Sequence, residues 1–452
     1  KMVSATTEQV DTEMVPATVQ KSLLNVESWI QNLENETSEE EAKSVSTDMQ
    51  SVADYFEQLD SPVSSVVSDM QSFLKNTLAM ELKKLLQAAG SSKRPDEGFE
   101  SVKKRKTALA AYAKIIDGEL KGEIITIVSD HVVVDGLFII NVGTSYTEDF
   151  AAIRVKRSKY FEIKNLVLEK LFFGIYLEKA ANGKVYHNKV IGDAVTEHNS
   201  GNAIQLWYSK NIIIENNIVQ HVRDGIYLEF SDNCLIKNNV STNNLRYGLH
   251  FMFSNNDTYK NNVFSNNGAG VAVMFSKKIK MLSNTFKNNW GTASYGLLLK
   301  EINDAEIRNN IFEENTIGIN IEGSNRIDYI NNNFINNGWA MKIQASCMDI
   351  KVQKNNFMGN TFDIGTNGSL VLNTFNKNYW DKYEGYDLNH DTMGDIPYRP
   401  VSMYSMIVEQ NPPAMMLFRS FITSLLDKTE KLIPSLTPEN LKDNTPLMRK
   451  AF

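Results

Sequence analysis

Three stretches decide the fold: Gly225-Ile-Tyr-Leu228, Gly248-Leu-His-Phe251 and Gly270-Val-Ala-Val273. Each opens on a small residue and continues with alternating positions. The same frame recurs before them as Ala152-Ile-Arg-Val155, Gly174-Ile-Tyr-Leu177 and Ala203-Ile-Gln-Leu206. It recurs after them as Gly296-Leu-Leu-Leu299, Gly318-Ile-Asn-Ile321 and Ala340-Met-Lys-Ile343. The steps are 22, 29, 22, 23, 22, 26, 22 and 22 residues. A second signal keeps the same time: asparagine pairs open at Asn216, Asn238, Asn261, Asn309, Asn331 and Asn355, with Ser283-Asn284 in register. A fixed period in the twenties marks stacked supersecondary units. Short period-2 runs inside each unit mean strands. The chain from about Asp117 to Trp380 is therefore read as a right-handed parallel β-helix with coils of about 22 residues, three short strands to a coil. Stacked asparagines can hydrogen-bond along the column, and asparagine tolerates the left-handed backbone of a sharp turn. The long steps place insertions around Lys179–Gly201 and Asn288–Ser294. No Leu-x-x-Leu-x-Leu frame of a leucine-rich repeat is present.

Residues 1–112 have a different texture. They hold only two of the 24 glycines, Gly90 and Gly98. Apolar residues recur at helical spacing: Val19, Leu23, Leu24, Val26, Trp29, Ile30 and Leu33, then Met49, Val52, Tyr55, Phe56 and Leu59. A helical bundle or cap is expected there, with Lys103-Lys104-Arg105-Lys106 as a solvated linker. The β-helix is expected over 113–400, and a tail over 401–452. In that tail Ala414–Leu432 reads as an amphipathic helix, with Met415, Leu417, Phe418, Phe421, Ile422 and Leu425 on its apolar side. This face suits either packing on the β-helix or docking to a partner.

Charge and cysteine content narrow the function classes. The 47 Lys and Arg against 54 Asp and Glu leave a net charge of −7, with no long basic stripe, which argues against nucleic acid. No apolar run is long enough to span a bilayer. No secretory signal is read in the polar stretch Lys1–Thr18. Cys234 and Cys347 lie five coils apart, too far for a bridge between them.

The outward columns carry the chemistry. In each coil the residues after the small one alternate in and out. The first outward column reads Arg154, Tyr176, Gln205, Tyr227, His250, Ala272, Leu298, Asn320 and Lys342. The second reads Lys156, Glu178, Trp207, Glu229, Met252, Met274, Lys300, Glu322 and Gln344. His250 and Met252 share one face roughly 6.6 Å apart, and Met274 lies one rung away at ~4.8 Å. An imidazole with two thioethers suits copper(I), and Glu229 continues the column. The competing reading is an apolar strip in which methionine simply packs. Catalytic residues are not expected. Carbohydrate chemistry needs clustered carboxylates, and Glu178, Glu229 and Glu322 are not on adjacent rungs. Sugar stacking on Tyr176, Trp207 and Tyr227 keeps a carbohydrate-binding or carbohydrate-active β-helix open as the alternative. Asp224 reads as a turn residue, and His187, His198 and His221 as surface histidines. Near the end, Asp387, Asn389, Asp391 and Asp395 alternate as the oxygen ligands of a calcium loop do, with a hydrogen-bonded Asx-turn cap as the alternative.

The chain from Ile116 to Phe452 resembles the NosD family. The residues that carry the likeness are Arg246-Tyr-Gly-Leu-His-Phe-Met-Phe-Ser254, Asn378-Tyr-Trp-Asp381, Gly385-Tyr-Asp387, Gly394-Asp-Ile-Pro-Tyr398 and Leu441-Lys-Asp-Asn-Thr-Pro-Leu-Met448. The resemblance implies a pectin-lyase-like solenoid and a periplasmic, non-enzymatic role in maturing nitrous oxide reductase. Members act with the membrane permease and cytoplasmic ATPase of an ABC transporter, and receive copper from a lipoprotein chaperone. The family's Gly-Leu-His-Phe-Met strand contains His250 and Met252. The tail would then dock onto the permease. Residues 1–112 depart from the family, whose members open with a signal peptide and a β-helical start.

Overall fold

The computed structural model describes residues 115–145, 147–368, 372–432 and 441–452; the helical reading of 1–112 lies outside the described residues. The described chain is mainly β, wound into coils that stack as three parallel sheets. The first sheet has twelve strands, from Ile115–Asp117 to Tyr379–Trp380. The second has eleven, from Ile125–Ile127 to Phe362–Gly365. The third has eleven, from Val133–Asp135 to Thr374–Asn376. Within each sheet every third strand of the chain is the next neighbour, as a coil of three strands requires.

The register is the one the sequence columns imply. Ile226 pairs with Leu249 and Leu249 with Val271, while Tyr227 pairs with His250 and Glu229 with Met252. Leu249 and Phe251 are fully buried in the interior. That interior also holds a stack of rings from the first sheet: Phe264, Phe286, Phe312, Phe334, Phe357 and Trp380. Their centroids lie 4.1–5.6 Å apart. Each such pair adds about 0.5–1.5 kcal/mol to its area burial.

The asparagine pairs divide their labour. Asn216, Asn238, Asn261, Asn309 and Asn331 take left-handed φ values of 54–59°. The residue after each turns inward and builds a ladder. Asn217 Nδ2 donates to Asn239 Oδ1 and Asn239 Nδ2 to Asn262 Oδ1, both at 2.9–3.0 Å. The ladder continues through Asn284, Asn310, Asn332, Asn355 and Asn378. At the last pair the roles shift by one residue: Lys354 takes the left-handed turn and Asn355 the rung. Two further ladders run at the other corners. One is Asn244, Asn267, Asn289, Asn315, Asn337 and Asn360. In the other, the hydroxyls of Ser209, Ser231, Ser254 and Ser276 each accept an N–H from the preceding coil. A buried carboxamide left without partners costs about 1–3 kcal/mol, so the columns fix the register strongly.

The first insertion is narrower than the step length alone indicates. The first lies between the strands Lys189–Ile191 and Ile204–Trp207, because the strand Lys184–Tyr186 still belongs to a regular coil. The second lies between Thr285–Lys287 and Leu297–Lys300. A third separates Phe138–Ile140 from Ala151–Lys156. All three occupy the corner that leads into the second sheet, the sheet of the His250 strand.

The tail divides into parts with different jobs. Residues 441–448 add a partial last coil, with Asp443 bridged to Phe375 and Leu447 to Tyr379. Asp443 is fully buried and replaces the next asparagine. Its Oδ2 accepts from the backbone N and Nδ2 of Asn378, each at 2.9 Å, and from Trp380 Nε1 at 3.2 Å. Helix α1, Met403–Gln410, buries Tyr404 and Val408 against Trp339 and Phe362 on the outward side of the second sheet. The expected single helix Ala414–Leu432 is interrupted. A 3-10 segment, Pro412–Leu417, is followed by Arg419 at a left-handed φ of 62°, and helix α2 then runs Phe421–Leu432. Two consecutive prolines, Pro412 and Pro413, deny the first segment the donors of a regular α-helix.

Both cysteines are free and buried. Beside Cys234 the interior holds Asp257, fully buried, whose Oδ1 accepts the Cys234 N–H at 2.7 Å while Oδ2 has no partner. Burial pushes its carboxyl up to about 8 from an ordinary 3.8. A group whose pKa rises on folding stabilises least when the pH is high. Stability relative to an unshifted acid is full below 3.8 and is lost as pH rises to about 8. Asp257→Asn is expected to flatten that decline and to raise stability at pH 8 by on the order of a few kcal/mol, seen as a higher Tm; thermal melts across this range check it. Asp443→Ala is expected to cost about 2–4 kcal/mol by stranding the end of the asparagine ladder, and Asp443→Asn much less; urea titrations of both variants decide this.

Candidate functional site

The His250 strand, Tyr247–Met252, runs straight past the second asparagine ladder only because residue 248 is glycine. A Cβ there would sit 2.8 Å from both Gly270 O and Asn267 Nδ2. With the register fixed, the side chains of His250 and Met252 leave the sheet on its outer face. Met252 pairs with Glu229 on one neighbouring strand, Asp224–Glu229, and with Met274 on the other, Ala269–Met274. Met252 and Met274 are half-buried. The structure thus brings His250, Met252, Met274 and Glu229 onto three adjacent rungs.

His250 is outward yet only 8% exposed. Its ring lies edge-on to Tyr227, 4.9 Å between centroids, and 4.8 Å from the ring of Tyr247. Neither ring nitrogen has a hydrogen-bond partner among the described residues. Nδ1 lies 3.6 Å from Asp224 Oδ2. Asp224, read from sequence as a turn residue, is instead a fully buried strand residue. It binds the guanidinium of Arg246 through both carboxylate oxygens, with Nε at 2.9 Å, and accepts the Tyr247 N–H at 3.3 Å. Burial pushes the Asp224 carboxyl up, but the hydrogen bonds from Arg246, with the His250 imidazole nearby, outweigh it and hold the group below the usual carboxylate range. Asp224 therefore stays an anion. The sequence signal for it was available in principle: Arg246 and Asp224 stand 22 residues apart, one coil, at the same corner.

An imidazole and two thioethers on neighbouring rungs are donors of the kind that soft monovalent metals take. Among the described residues no three His, Cys, Asp or Glu side chains converge as they do around a divalent ion. One imidazole with two thioethers is a different set, and it fits copper(I). Calcium chemistry finds less support. In the Asp387 loop the carboxylates are spent on backbone donors: Asp387 takes the N–H of Asp391 and of Thr392, Asp391 that of Met393, and Asp395 that of Leu388. Asn389 Oδ1 also accepts from the Asp391 N–H. This is the Asx-turn cap.

The aromatic platforms are occupied from within. Arg154 lies over Tyr176 at 4.4 Å, and that ring packs among Ala151, Phe172 and Phe173. Lys179 lies over Trp207 at 4.9 Å. Trp207 stands two rungs from Met252, with Glu229 between. Four rings that the sequence reading passed over form an exposed ladder beside the methionines: Tyr208, Phe230, Phe253 and Phe275, with centroids 4.6–5.1 Å apart. A groove of about 860 Å³ on the third sheet is lined by charges that pair with one another, Arg326 with Asp304 and Lys351 with Asp328. The tail residues Met415, Leu417, Phe418, Phe421, Ile422 and Leu425 are all exposed, Phe421 at 81%.

The sequence profile of a family described as "Periplasmic copper-binding protein (NosD)" matches residues 186–385, the coils that carry His250, Met252 and Met274. A protein of Pseudomonas aeruginosa described as a probable ABC transporter binding protein NosD is 28% identical over 353 residues, 74% of this chain and 82% of its own. The chain is similar to the NosD family over these coils. A second NosD relative, from Stutzerimonas stutzeri, is 26% identical over 110 residues, a quarter of its length. Solved structures with a similar coil include the A-module of a mannuronan C-5 epimerase from Azotobacter vinelandii. It has a TM-score of 0.43 at 15% identity, over 60% of this chain and 87% of that one. A periplasmic alginate epimerase gives 0.41 at 13% identity, over 54% and 71%. Those likenesses concern the coil alone. Among the described residues no helix is long and apolar enough to cross a membrane.

Proposed function

We propose that this chain is a periplasmic accessory protein, not an enzyme, that handles copper(I) during maturation of nitrous oxide reductase. It works beside the permease and ATPase of an ABC transporter and takes metal from a copper chaperone. The observation that carries this reading is His250, nearly buried with both ring nitrogens unpartnered, beside two thioethers on adjacent rungs. Copper is cargo here. A two- or three-coordinate soft site on a rigid sheet binds the ion and can release it to a better ligand set. The family description as copper-binding and periplasmic, and the relatives' description as transporter-binding, support the same reading.

The transporter contact is assigned to the exposed apolar side of the tail. Phe421, Ile422 and Leu425 on α2 point away from the body, with Met415, Leu417 and Phe418 beside them, while Leu426 packs inward on the Trp339–Phe362 cluster. An apolar patch of this kind marks a protein or membrane contact.

Two measurements test this. Competition titration with a chromophoric Cu(I) chelator is expected to show one site in the wild type and at least ten-fold weaker binding, about 1.4 kcal/mol or more, in His250→Ala/Met252→Ala/Met274→Ala. Equal affinity would remove the copper site. For docking, removing residues 403–452 would also strip the Asp443 cap, so point variants serve better. Phe421→Asp/Ile422→Asp in the full chain is expected to abolish capture of the permease without lowering Tm. Undiminished capture would sink the tail's role.

A further inference from the structure

The electrostatic arrangement behind His250 has a direction. Only one nitrogen of an imidazole can take a metal while the other carries a proton, and the partner of the protonated nitrogen decides which is which. Here Nδ1 faces the carboxylate of Asp224, 3.6 Å away, and that carboxylate is fully buried. Arg246 binds both carboxylate oxygens of Asp224, and Asn202 Oδ1 accepts the Asp224 backbone N–H at 3.2 Å. The carboxylate is thus fixed in place by groups other than the histidine. Tyr227 and Tyr247 hold the imidazole plane from two sides. Among the described residues neither ring nitrogen is hydrogen-bonded, and the carboxylate oxygen beside the ring, Asp224 Oδ2, lies on the Nδ1 side.

We propose that Asp224 is a positioning residue for the copper site: it claims the Nδ1 proton of His250 and so presents Nε2 as the ligand atom. The inference rests on the copper reading above and names how that site is oriented. A metal on Nε2 withdraws electron density from the ring and makes Nδ1–H a stronger donor, so a small rotation that closes the 3.6 Å gap is favoured on loading. No bond other than this hydrogen bond and the metal–nitrogen contact forms, and no proton leaves the ring.

The substitution Asp224→Asn reverses the instruction. Arg246 keeps the remaining carbonyl oxygen, and the new amide group turns a donor toward Nδ1. The ring then prefers the Nε2–H form, which cannot bind metal through Nε2. The test uses full-length protein labelled with ¹⁵N-histidine, with His250→Ala to assign the signal. Metal-free wild type is expected to show the Nδ1–H tautomer, and Asp224→Asn the Nε2–H tautomer. The same variant is expected to bind Cu(I) about ten- to a hundred-fold more weakly in chelator competition. Arg223→Met removes a charge from the same corner but leaves the Asp224–Arg246 pair intact, and is expected to leave tautomer and affinity at wild-type values. That variant separates orientation from a general loss of structure at the corner. A wild-type tautomer in Asp224→Asn, or matching losses in Arg223→Met, would overturn the proposal. If wild type binds Cu(I) no better than His250→Ala, the copper reading itself fails. The tautomer of the metal-free protein still decides whether Asp224 orients the ring.

Discussion

Every feature of this protein depends on one hydrogen bond repeated along the axis. An inward asparagine at each turn gives its amide proton to the next asparagine and accepts from the previous one. A buried carboxamide cannot go without partners at acceptable cost. The coils must therefore stack with equivalent residues over one another, and a slip of one residue would turn each interior side chain outward. Serines and a second asparagine column impose the same condition at the other corners. The aromatic stack of the first sheet is a consequence of that alignment as much as a cause of it.

Because register is fixed so firmly, the outer faces become fixed displays. His250 and Met252 stand on one strand, and Met274 on the next, with no loop to adjust them. Rigidity of this kind holds the backbone of these three rungs in one geometry. The extra residues go to one corner, which leads into the same sheet, and the coils elsewhere stay regular. Side chains that break the repeat carry the exceptional chemistry. Asp224 at the start of its strand and Asp257 in the interior are both fully buried carboxylates. The first is held as an anion by an arginine. The second has no such partner, and burial raises its pKa.

The chain's end shows how a repeat is closed. Asp443 supplies the acceptor that the ladder lacks after Asn378, and it lacks the amide donor that would call for another coil. A carboxylate is therefore a terminator in a column of carboxamides. The tail consequently cannot be one free arm. Its last segment seals the helix, α1 packs on the second sheet, and only the side of the 3-10 segment and α2 that faces away from the body is left apolar and open.

The period of small residues and paired asparagines determined the coil length, the three strands per coil, the inward and outward columns and the place of His250 beside Met252. Those follow from spacing alone, because strand alternation and parallel stacking are local rules repeated. Spacing could not determine the partners of Asp224, since its reach to Arg246 and His250 depends on side chains crossing between coils at a corner. Nor could it reveal that Asp443 returns to finish the ladder, a contact 65 residues away in sequence, or that Pro412, Pro413 and Arg419 split the terminal helix. The oxygens of the Asp387 loop matched a calcium pattern by order, and only the fold showed that backbone donors had claimed them. Periodic residues repeat their environment and can be read from one another, whereas a residue that occurs once meets neighbours that only the folded chain brings to it.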